Sequence, residues 1–186
     1  MRCNPSMIPD FDENGNLPPV GLIRPTIQEF EERFVKEADD RKIRQELFNG
    51  YNEYCNNLIS LNVSSVQWVN GSFTTKKLNP NDIDVVIHFD GMKIRQNKTL
   101  HNHIEKLIDK NEMKLRYKCH PQFVLVYPKT LPDFYSYYIQ RYEYWLKWFS
   151  RDRSGNNKGL IEFNIQNTNF KSDETHTGET NHAHGV

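Results

Sequence analysis

The sequence predicts an α/β fold of the α+β type. Apolar residues recur at helical spacing between Asp40 and Asn62, and again over residues 132–149. Short apolar runs at residues 85–87 and 123–127, bounded by turn residues, predict strands between these helices. A chain of 186 residues can bury one core, so we expect a single domain with decorations.

Residues 1–25 are predicted to form an arm that packs on the domain. A turn signal at residues 12–16 and the prolines at 18, 19 and 25 interrupt regular structure. The alternative is a loose tail. The arm is favoured because it has apolar side chains to bury: Ile8, Phe11, Leu17, Val20 and Leu22.

Helices are predicted on either side of the central stretch. Thr26 and Glu29 form a capping box that begins the first helix. The second helix begins after Asp39 or Asp40, ends by Asn62 and has one apolar stripe. Its members are Ile43, Leu47, Tyr51, Tyr54 and Leu58. A third helix begins at Asn97 or Thr99, after a turn at residues 90–91.

The helix at residues 132–149 is aromatic on more than one face. This pattern predicts a helix that is half core and half partner interface. Stacking on nucleic-acid bases is the alternative.

The remaining elements complete the predicted domain at residues 26–167. Residues 114–118 and 123–127 predict strands broken near Pro121, and residues 160–165 predict a final strand. Residues 168–186 have almost no apolar side chains, which predicts a disordered tail.

The residues with chemical potential concentrate between Trp68 and Asp90. Gly71 and Ser72 end one predicted strand, and Asp82 and Asp84 open the next. Because side chains alternate along a strand, the two carboxylates point the same way, about 7 Å apart. Such a pair can hold divalent metal. A glycine lets the backbone approach a phosphate closely, and nearby amides and the Ser72 hydroxyl can donate to it.

This Gly-Ser, spacer and Asp-hydrophobic-Asp-hydrophobic pattern resembles the nucleotidyltransferase fold of the DNA polymerase β superfamily. The resemblance is closest over residues 66–90. With residues 8–19 and 151–159, most of residues 7–165 look like a family of short, poorly characterised bacterial proteins with this fold. The resemblance implies a central mixed β-sheet flanked by helices. It also implies that Gly71 and Ser72 contact a nucleoside triphosphate, while Asp82 and Asp84 hold Mg²⁺ or Mn²⁺.

The chain departs from the superfamily pattern at the third carboxylate, which lies on a later strand beside the first two. The matching stretch, residues 116–126, contains no acid, and His120 and Gln122 stand in its place. His120 is a candidate metal ligand or general base. Glu162 is a candidate replacement acid. The alternatives are a surface residue before proline for His120 and an edge-strand charge for Glu162.

Two basic groups lie near these motifs. Lys76 and Lys77 are candidates for neutralising a triphosphate, with a solvated linker as the alternative. The loop with Arg151, Arg153 and Lys158 could bind triphosphate or a nucleic-acid acceptor, or be an ordinary charged loop.

Two functions from different classes follow. The first is a metal-dependent nucleotidyltransferase that moves a nucleoside monophosphate from a nucleoside triphosphate to an acceptor hydroxyl on protein, RNA or a small molecule. By analogy with small bacterial members of the superfamily, it would act in a toxin–antitoxin or antiphage defence context with a cognate partner protein. The second is a catalytically silent module that binds nucleotide or a partner protein and regulates it, which the missing acid favours. A purely structural domain would leave the Gly-Ser and aspartate motifs unexplained.

The composition of the chain limits the kinds of partner and the cellular compartment that we expect. The 24 basic and 24 acidic residues balance, which argues against a protein that coats nucleic acid. No apolar stretch approaches the roughly 20 residues of a membrane span, so no membrane partner is expected. The three cysteines, Cys3, Cys55 and Cys119, show no metal spacing, and the N-terminus has no apolar signal region. We therefore expect a cytoplasmic protein.

Overall fold

A computed structural model of the chain describes residues 8–170. A π-helical segment, Glu32–Lys36, continues the first helix, and a 3₁₀ turn, Ile165–Asn167, follows the last strand. The strands and helices in chain order are β1 (Leu22–Ile23), α1 (Ile27–Glu31), α2 (Arg41–Ser60), β2 (Ser64–Asn70), β3 (Ile83–Asp90), α3 (Gly91–Gln96), α4 (Lys98–Leu107), α5 (Lys110–Tyr117), β4 (Cys119–Val126), α6 (Pro132–Phe149) and β5 (Leu160–Asn164).

The five strands form one mixed sheet in the order β1-β5-β2-β3-β4. β2 is antiparallel to β3 and to β5, whereas β4 runs parallel to β3. Helices cover both faces of this sheet. The predicted α+β fold with a central mixed sheet flanked by helices is therefore confirmed.

The first face of the sheet packs against α1 and α2. Ile83, Val85 and Ile87 point into this core, as the alternation along β3 predicts. The capping box is present, with Thr26 and Glu29 each accepting from the other's backbone amide. One member of the predicted stripe is wrong: Ile43 is 38% exposed, while its neighbour Arg44 is 2% exposed.

The second face packs against α6. Trp68 and Val86 are fully buried there, and Tyr142 and Trp145 of the helix lie against them. The core half of the prediction for α6 is confirmed. On the outer side Tyr137, Tyr144 and Trp148 are exposed, and the predicted partner interface stays a prediction.

Three predictions between Asp90 and Val126 are wrong. Residues 114–118 were predicted as a strand, but they lie in α5 and its cap, because Asp109 accepts from Glu112 N and begins a helix. β4 is not broken at Pro121. A proline lacks the amide that a central strand needs, and β4 tolerates it because it lies at the edge of the sheet. Asp90 caps α3 instead of forming a simple turn.

The predicted arm joins the sheet, since β1 pairs in parallel with β5. Ile8 and Leu17 of the arm are buried on the domain, but the prediction for Val20 is wrong, since this side chain at the surface is 64% exposed. Phe170, in the predicted tail, is buried against Tyr51 and Phe163, so the prediction of disorder is wrong at this residue. Residues 171–186 of the predicted tail lie outside the described residues. No described helix combines the length and apolar character that crossing a bilayer requires.

Candidate functional site

A tight turn at Gly71 follows β2 and lies directly against Asp84 at the start of β3. Gly71 has φ of +87°, a conformation that L side chains rarely adopt. A Cβ atom at this position would overlap Asp84 Oδ2. Only glycine therefore allows the backbone to approach the carboxylate this closely.

The side chain of Asn70 holds this turn in shape. Its Oδ1 accepts from the Gly71 amide at 2.8 Å and from Thr74 Oγ1 at 3.1 Å, while its Nδ2 donates to the Phe149 carbonyl. Of the next three residues, Phe73 and Thr74 are buried, whereas Ser72 is half-buried and its amide donates to no group in the described part of the chain. The Ser72 amide and hydroxyl are therefore the donors that this turn offers to an anion.

Asp84 and His120 meet across the parallel pair β3 and β4. The two residues are register partners, and His120 Nδ1 lies 3.0 Å from Asp84 Oδ1. Burial raises the pKa of Asp84. The hydrogen bond with His120 opposes the rise, and the nearby charge of Asp82 adds to it. The residue predicted to replace the third acid therefore does lie beside the second aspartate.

Asp82 is paired with a lysine that the sequence analysis did not identify. Lys114 Nζ of α5 lies 2.7 Å from Asp82 Oδ2, and this hydrogen bond raises the pKa of Lys114. The lysine side chain is 52% exposed. The strand predicted at residues 114–118 left Lys114 without a place at the site. An N-cap at Asp109 is the sequence signal that would have predicted the helix carrying this lysine.

Lys158 is the second cation that the structure brings to the site. It lies just before β5 and is only 8% exposed. Its Nζ is 3.4 Å from the Gly71 carbonyl oxygen. Burial lowers the pKa of Lys158 to about 8, although the charges of Asp84 and Asp152 oppose this shift. The Asp152 carboxylate accepts from the Ser154 and Asn156 amides and so shapes the loop before Lys158.

Arg44 fixes the rest of the loop between the glycine turn and the aspartates. Its Nε donates to Asp40 Oδ1 at 2.6 Å. Its two terminal nitrogens donate to four main-chain carbonyls, those of Phe34, Phe73, Thr75 and Lys77. Three of these carbonyls belong to the loop. Asp40 also accepts from the Asn79 amide, so one ion pair on α2 positions residues 73–79.

Three predicted site residues do not join this cluster. Glu162 accepts from Arg24 Nε at 2.7 Å and from Trp68 Nε1 at 2.9 Å. It is the register partner of Trp68, two residues before Asn70, which is the register partner of Asp84. Lys76 lies against the arm, with its Nζ 5.8 Å from the centre of the Phe11 ring. Lys77 is exposed and contributes its carbonyl to Arg44.

The donors at the site suit a magnesium ion that brings its own water and phosphate ligands. Within residues 8–170, no group of three or more His, Cys, Asp or Glu side chains is arranged to hold a metal. Mg²⁺ is commonly bound through one or two carboxylates together with substrate phosphates. Asp82 and Asp84 supply such carboxylates. Lys114 would have to leave Asp82, which its exposed side chain allows.

Comparison with known proteins gives a family but no function. A model of a family of unknown function (DUF6932) matches residues 9–164. The chain belongs to that family. The DUF6932 match covers the glycine turn, both aspartates, His120 and Lys158, so the whole candidate site lies within it. No curated protein and no solved structure matches the chain.

Proposed function

We propose that this protein is a metal-dependent nucleotidyltransferase that moves a nucleoside monophosphate from a nucleoside triphosphate to an acceptor hydroxyl. One observation carries the proposal. A glycine turn with a free amide at Ser72 lies against Asp84, with His120 on the neighbouring strand. Hydrogen-bond donors for a phosphate thus lie beside a carboxylate, as the resemblance to the DNA polymerase β superfamily implies.

Each residue has a distinct role in the proposed reaction. The amide and the hydroxyl of Ser72 hold the β- and γ-phosphates beside Gly71. The Nδ1–H group of His120 donates a hydrogen bond to Asp84, which fixes the ring. Nε2 is then free to accept the proton of the acceptor hydroxyl. The hydroxyl oxygen forms a bond to the α-phosphorus, the bond between the α-phosphorus and the bridging oxygen breaks, and pyrophosphate leaves.

Asp82 and Asp84 are the residues that would hold Mg²⁺ or Mn²⁺. When bound, the ion supplies charge neutralisation for the phosphates and the leaving pyrophosphate. The chain's own contribution is to keep the two carboxylates on one strand start beside the glycine turn.

A catalytically silent module is the second candidate. Two observations favour it: the third acid is replaced by His120, and Asp82 is already neutralised by Lys114. Such a module would bind nucleotide at the same turn and regulate a partner protein without transfer.

The setting of either function is proposed by analogy. We propose action in the cytoplasm, where the buried free thiols Cys55 and Cys119 would stay reduced. A cognate partner protein in a toxin–antitoxin or antiphage system, and an RNA or protein acceptor, are proposals of the same kind.

Label transfer separates the two candidates. The purified protein is incubated with nucleoside triphosphates labelled at the α-phosphate, Mg²⁺ or Mn²⁺, and cell extract. We expect label on a macromolecule or small acceptor with the wild type, and a loss of about 10²-fold or more with Asp84→Asn. Asp133→Asn on the exposed side of α6 is the matched control and should transfer label normally.

Each outcome decides between the candidates. Nucleotide binding without transfer would support the silent module. Equal transfer by the wild type and Asp84→Asn would refute the proposed site, and absence of both binding and transfer would refute both candidates.

A further inference from the structure

The outer side of α6 carries three large aromatic side chains that the proposed site does not use. Tyr137 and Tyr144 are half exposed, and Trp148 is 66% exposed. They recur seven and four residues apart, which places them on one side of the helix, whereas Trp145 and Phe149 pack on the core. Single exposed aromatic residues are ordinary, but three on one side of a helix form a patch that is typical of a binding surface.

The side chains of this patch offer flat surfaces for stacking. The Tyr144 and Trp148 rings are nearly parallel, with 10° between their planes and 6.4 Å between their centres. The Arg141 guanidinium lies over the Tyr144 ring, 5.2 Å from its centre. Aromatic rings and arginine planes are the groups on which the bases of single-stranded nucleic acids stack. We call Tyr137, Arg141, Tyr144 and Trp148 the outer aromatic face.

The charges in and just after this part of α6 are mainly basic. Residues 137–153 contain four basic and two acidic residues, namely Arg141, Lys147, Arg151 and Arg153, and Glu143 and Asp152. The Asp152 carboxylate already accepts hydrogen bonds from the Ser154 and Asn156 amides. The chain as a whole is balanced, so this region has a local excess of positive charge. Such an excess complements the phosphates of a nucleic acid.

The outer aromatic face ends beside the proposed active site. Asn70, which holds the glycine turn, donates to the carbonyl of Phe149, the last residue of α6. Trp148 is the residue before it. Asp84 lies two residues before Val86 on β3 and therefore projects toward the face of the sheet that α6 covers. A nucleic-acid strand that lies along α6 can thus present its end to the reacting groups.

We propose that the outer aromatic face binds single-stranded nucleic acid and that this strand carries the acceptor hydroxyl. The acceptor role rests on the proposed function. The inference goes further by naming the class of acceptor and the surface that binds it. Bases stack on the Tyr144 and Trp148 rings, while Arg141 and the basic residues after α6 contact phosphates. Protein interfaces are also rich in aromatic residues, but the parallel rings and the basic surroundings favour a nucleic-acid strand.

The test measures binding of fluorescein-labelled uridine RNA and thymidine DNA by fluorescence polarisation, without nucleoside triphosphate or metal. Strands of about ten nucleotides are longer than the roughly 16 Å from Tyr137 to Trp148. We expect the wild type to bind at least one strand, and Trp148→Ala to bind about tenfold or more weakly. Trp148→Phe, which keeps a ring, should bind more tightly than Trp148→Ala.

A matched control lies on the other face of the sheet. Leu115 of α5 is exposed and apolar, and this helix packs through Met113 and Tyr117 on the core beside α2. Leu115→Ala removes exposed apolar surface without touching the outer aromatic face, so it should bind the strands like the wild type. An equal loss in Leu115→Ala and Trp148→Ala would overturn the assignment to α6.

Two further measurements test stacking itself. Of the three tryptophans, Trp68 is buried, Trp145 is half-buried and Trp148 is exposed, so a base stacked on Trp148 should quench the emission. This quenching should be largely lost in Trp148→Phe although the strand still binds. The same strand annealed to its complement should bind more weakly, because its bases are already paired. Equal or tighter binding of the duplex would show that charge alone is responsible and would overturn the stacking.

The outcomes separate this inference from the proposed function. No strand binding by the wild type, or equal binding by Trp148→Ala, overturns the inference and leaves the nucleotide site untouched. If the wild type instead forms a dimer that Trp148→Ala abolishes, the face belongs to a second copy of the chain. Label transfer to other acceptors, but not to the bound strand, overturns only the acceptor role. Strand binding that depends on Trp148, with no transfer to any acceptor, supports the surface and overturns the acceptor role together with the proposed function.

Discussion

Arg44 and Lys158 are two buried cations that contact the same loop from different elements, and they differ in how completely they are satisfied. Arg44 pairs with Asp40 and donates to four carbonyls at 2.6 to 3.1 Å. Lys158 has one hydrogen bond of 3.4 Å. A charge with complete partners stabilises its surroundings, whereas a charge with spare donors is available to a ligand. The comparison assigns Arg44 to structure and makes Lys158 the candidate for ligand binding.

Replacing the two cations should therefore change the free energy of unfolding by very different amounts. Arg44→Leu leaves Asp40 and four carbonyls without their donor, and we expect it to lower the free energy of unfolding by about 3–5 kcal/mol. Lys158→Met removes a poorly paired buried charge and should change it by less than about 1 kcal/mol. Urea unfolding followed by circular dichroism measures both. A large loss for Lys158→Met, or none for Arg44→Leu, would contradict the comparison.

The second prediction uses two glycines with nearly the same backbone conformation. Gly71 and Gly155 have φ of +87° and +86°, but a Cβ at Gly71 would overlap Asp84, whereas one at Gly155 meets nothing within 4 Å. Both Gly→Ala variants should lose about 1 kcal/mol from backbone strain. Only Gly71→Ala should also lose nucleotide binding, by about tenfold or more, because the turn must move away from Asp84. Similar binding by the two variants would show that the close approach has no role in the site.

The third prediction concerns the pH dependence of the Arg44 network. The pKa of Asp40 is lowered because hydrogen bonds from Asn79 and Arg44 outweigh the effect of burial. A lowered folded-state pKa stabilises the protein above the unfolded value, near 4, and this contribution is lost as the pH falls through the folded value. Asp40→Asn should cost about 1–3 kcal/mol at pH 7, and its difference from the wild type should shrink below about pH 4.

A constant difference between wild type and Asp40→Asn from pH 7 to pH 3 would show that the carboxylate charge does not support Arg44. Urea midpoints at several pH values measure this directly.

The elements with strong local signals could be predicted from the sequence. Three features depend only on residues close together in the chain: the Thr26 capping box, the glycine turn and the alternation of side chains along the strand at Asp84. The structure has each of them. The neighbour of Asp84 could also be anticipated, since His120 stands where a parallel strand would place the third acid.

The two cations could not be assigned in this way, because their environments are made by residues far away in the chain. Arg44 lies beside Ile43 in an apolar stripe, and its carbonyl partners are contributed largely by residues about 30 positions later. In the sequence, Lys158 is one of three basic residues in a polar loop. Its direction is set by the turn around Asp152 and by the hydrogen bond from the neighbouring Gly159 amide to the Leu17 carbonyl. α5 was not predicted because it has only two buried residues, Met113 and Tyr117, and its other positions are mostly charged or polar, so the helical pattern is weak.

The most direct test of the central claim is an experimental structure of the protein with a non-hydrolysable nucleoside triphosphate and Mg²⁺. The account predicts the terminal phosphates within hydrogen-bonding distance of the Ser72 amide and of Lys158 Nζ, with the α-phosphate beside Asp84. A nucleotide bound elsewhere, such as the groove lined by Arg24 and Glu162, would contradict it.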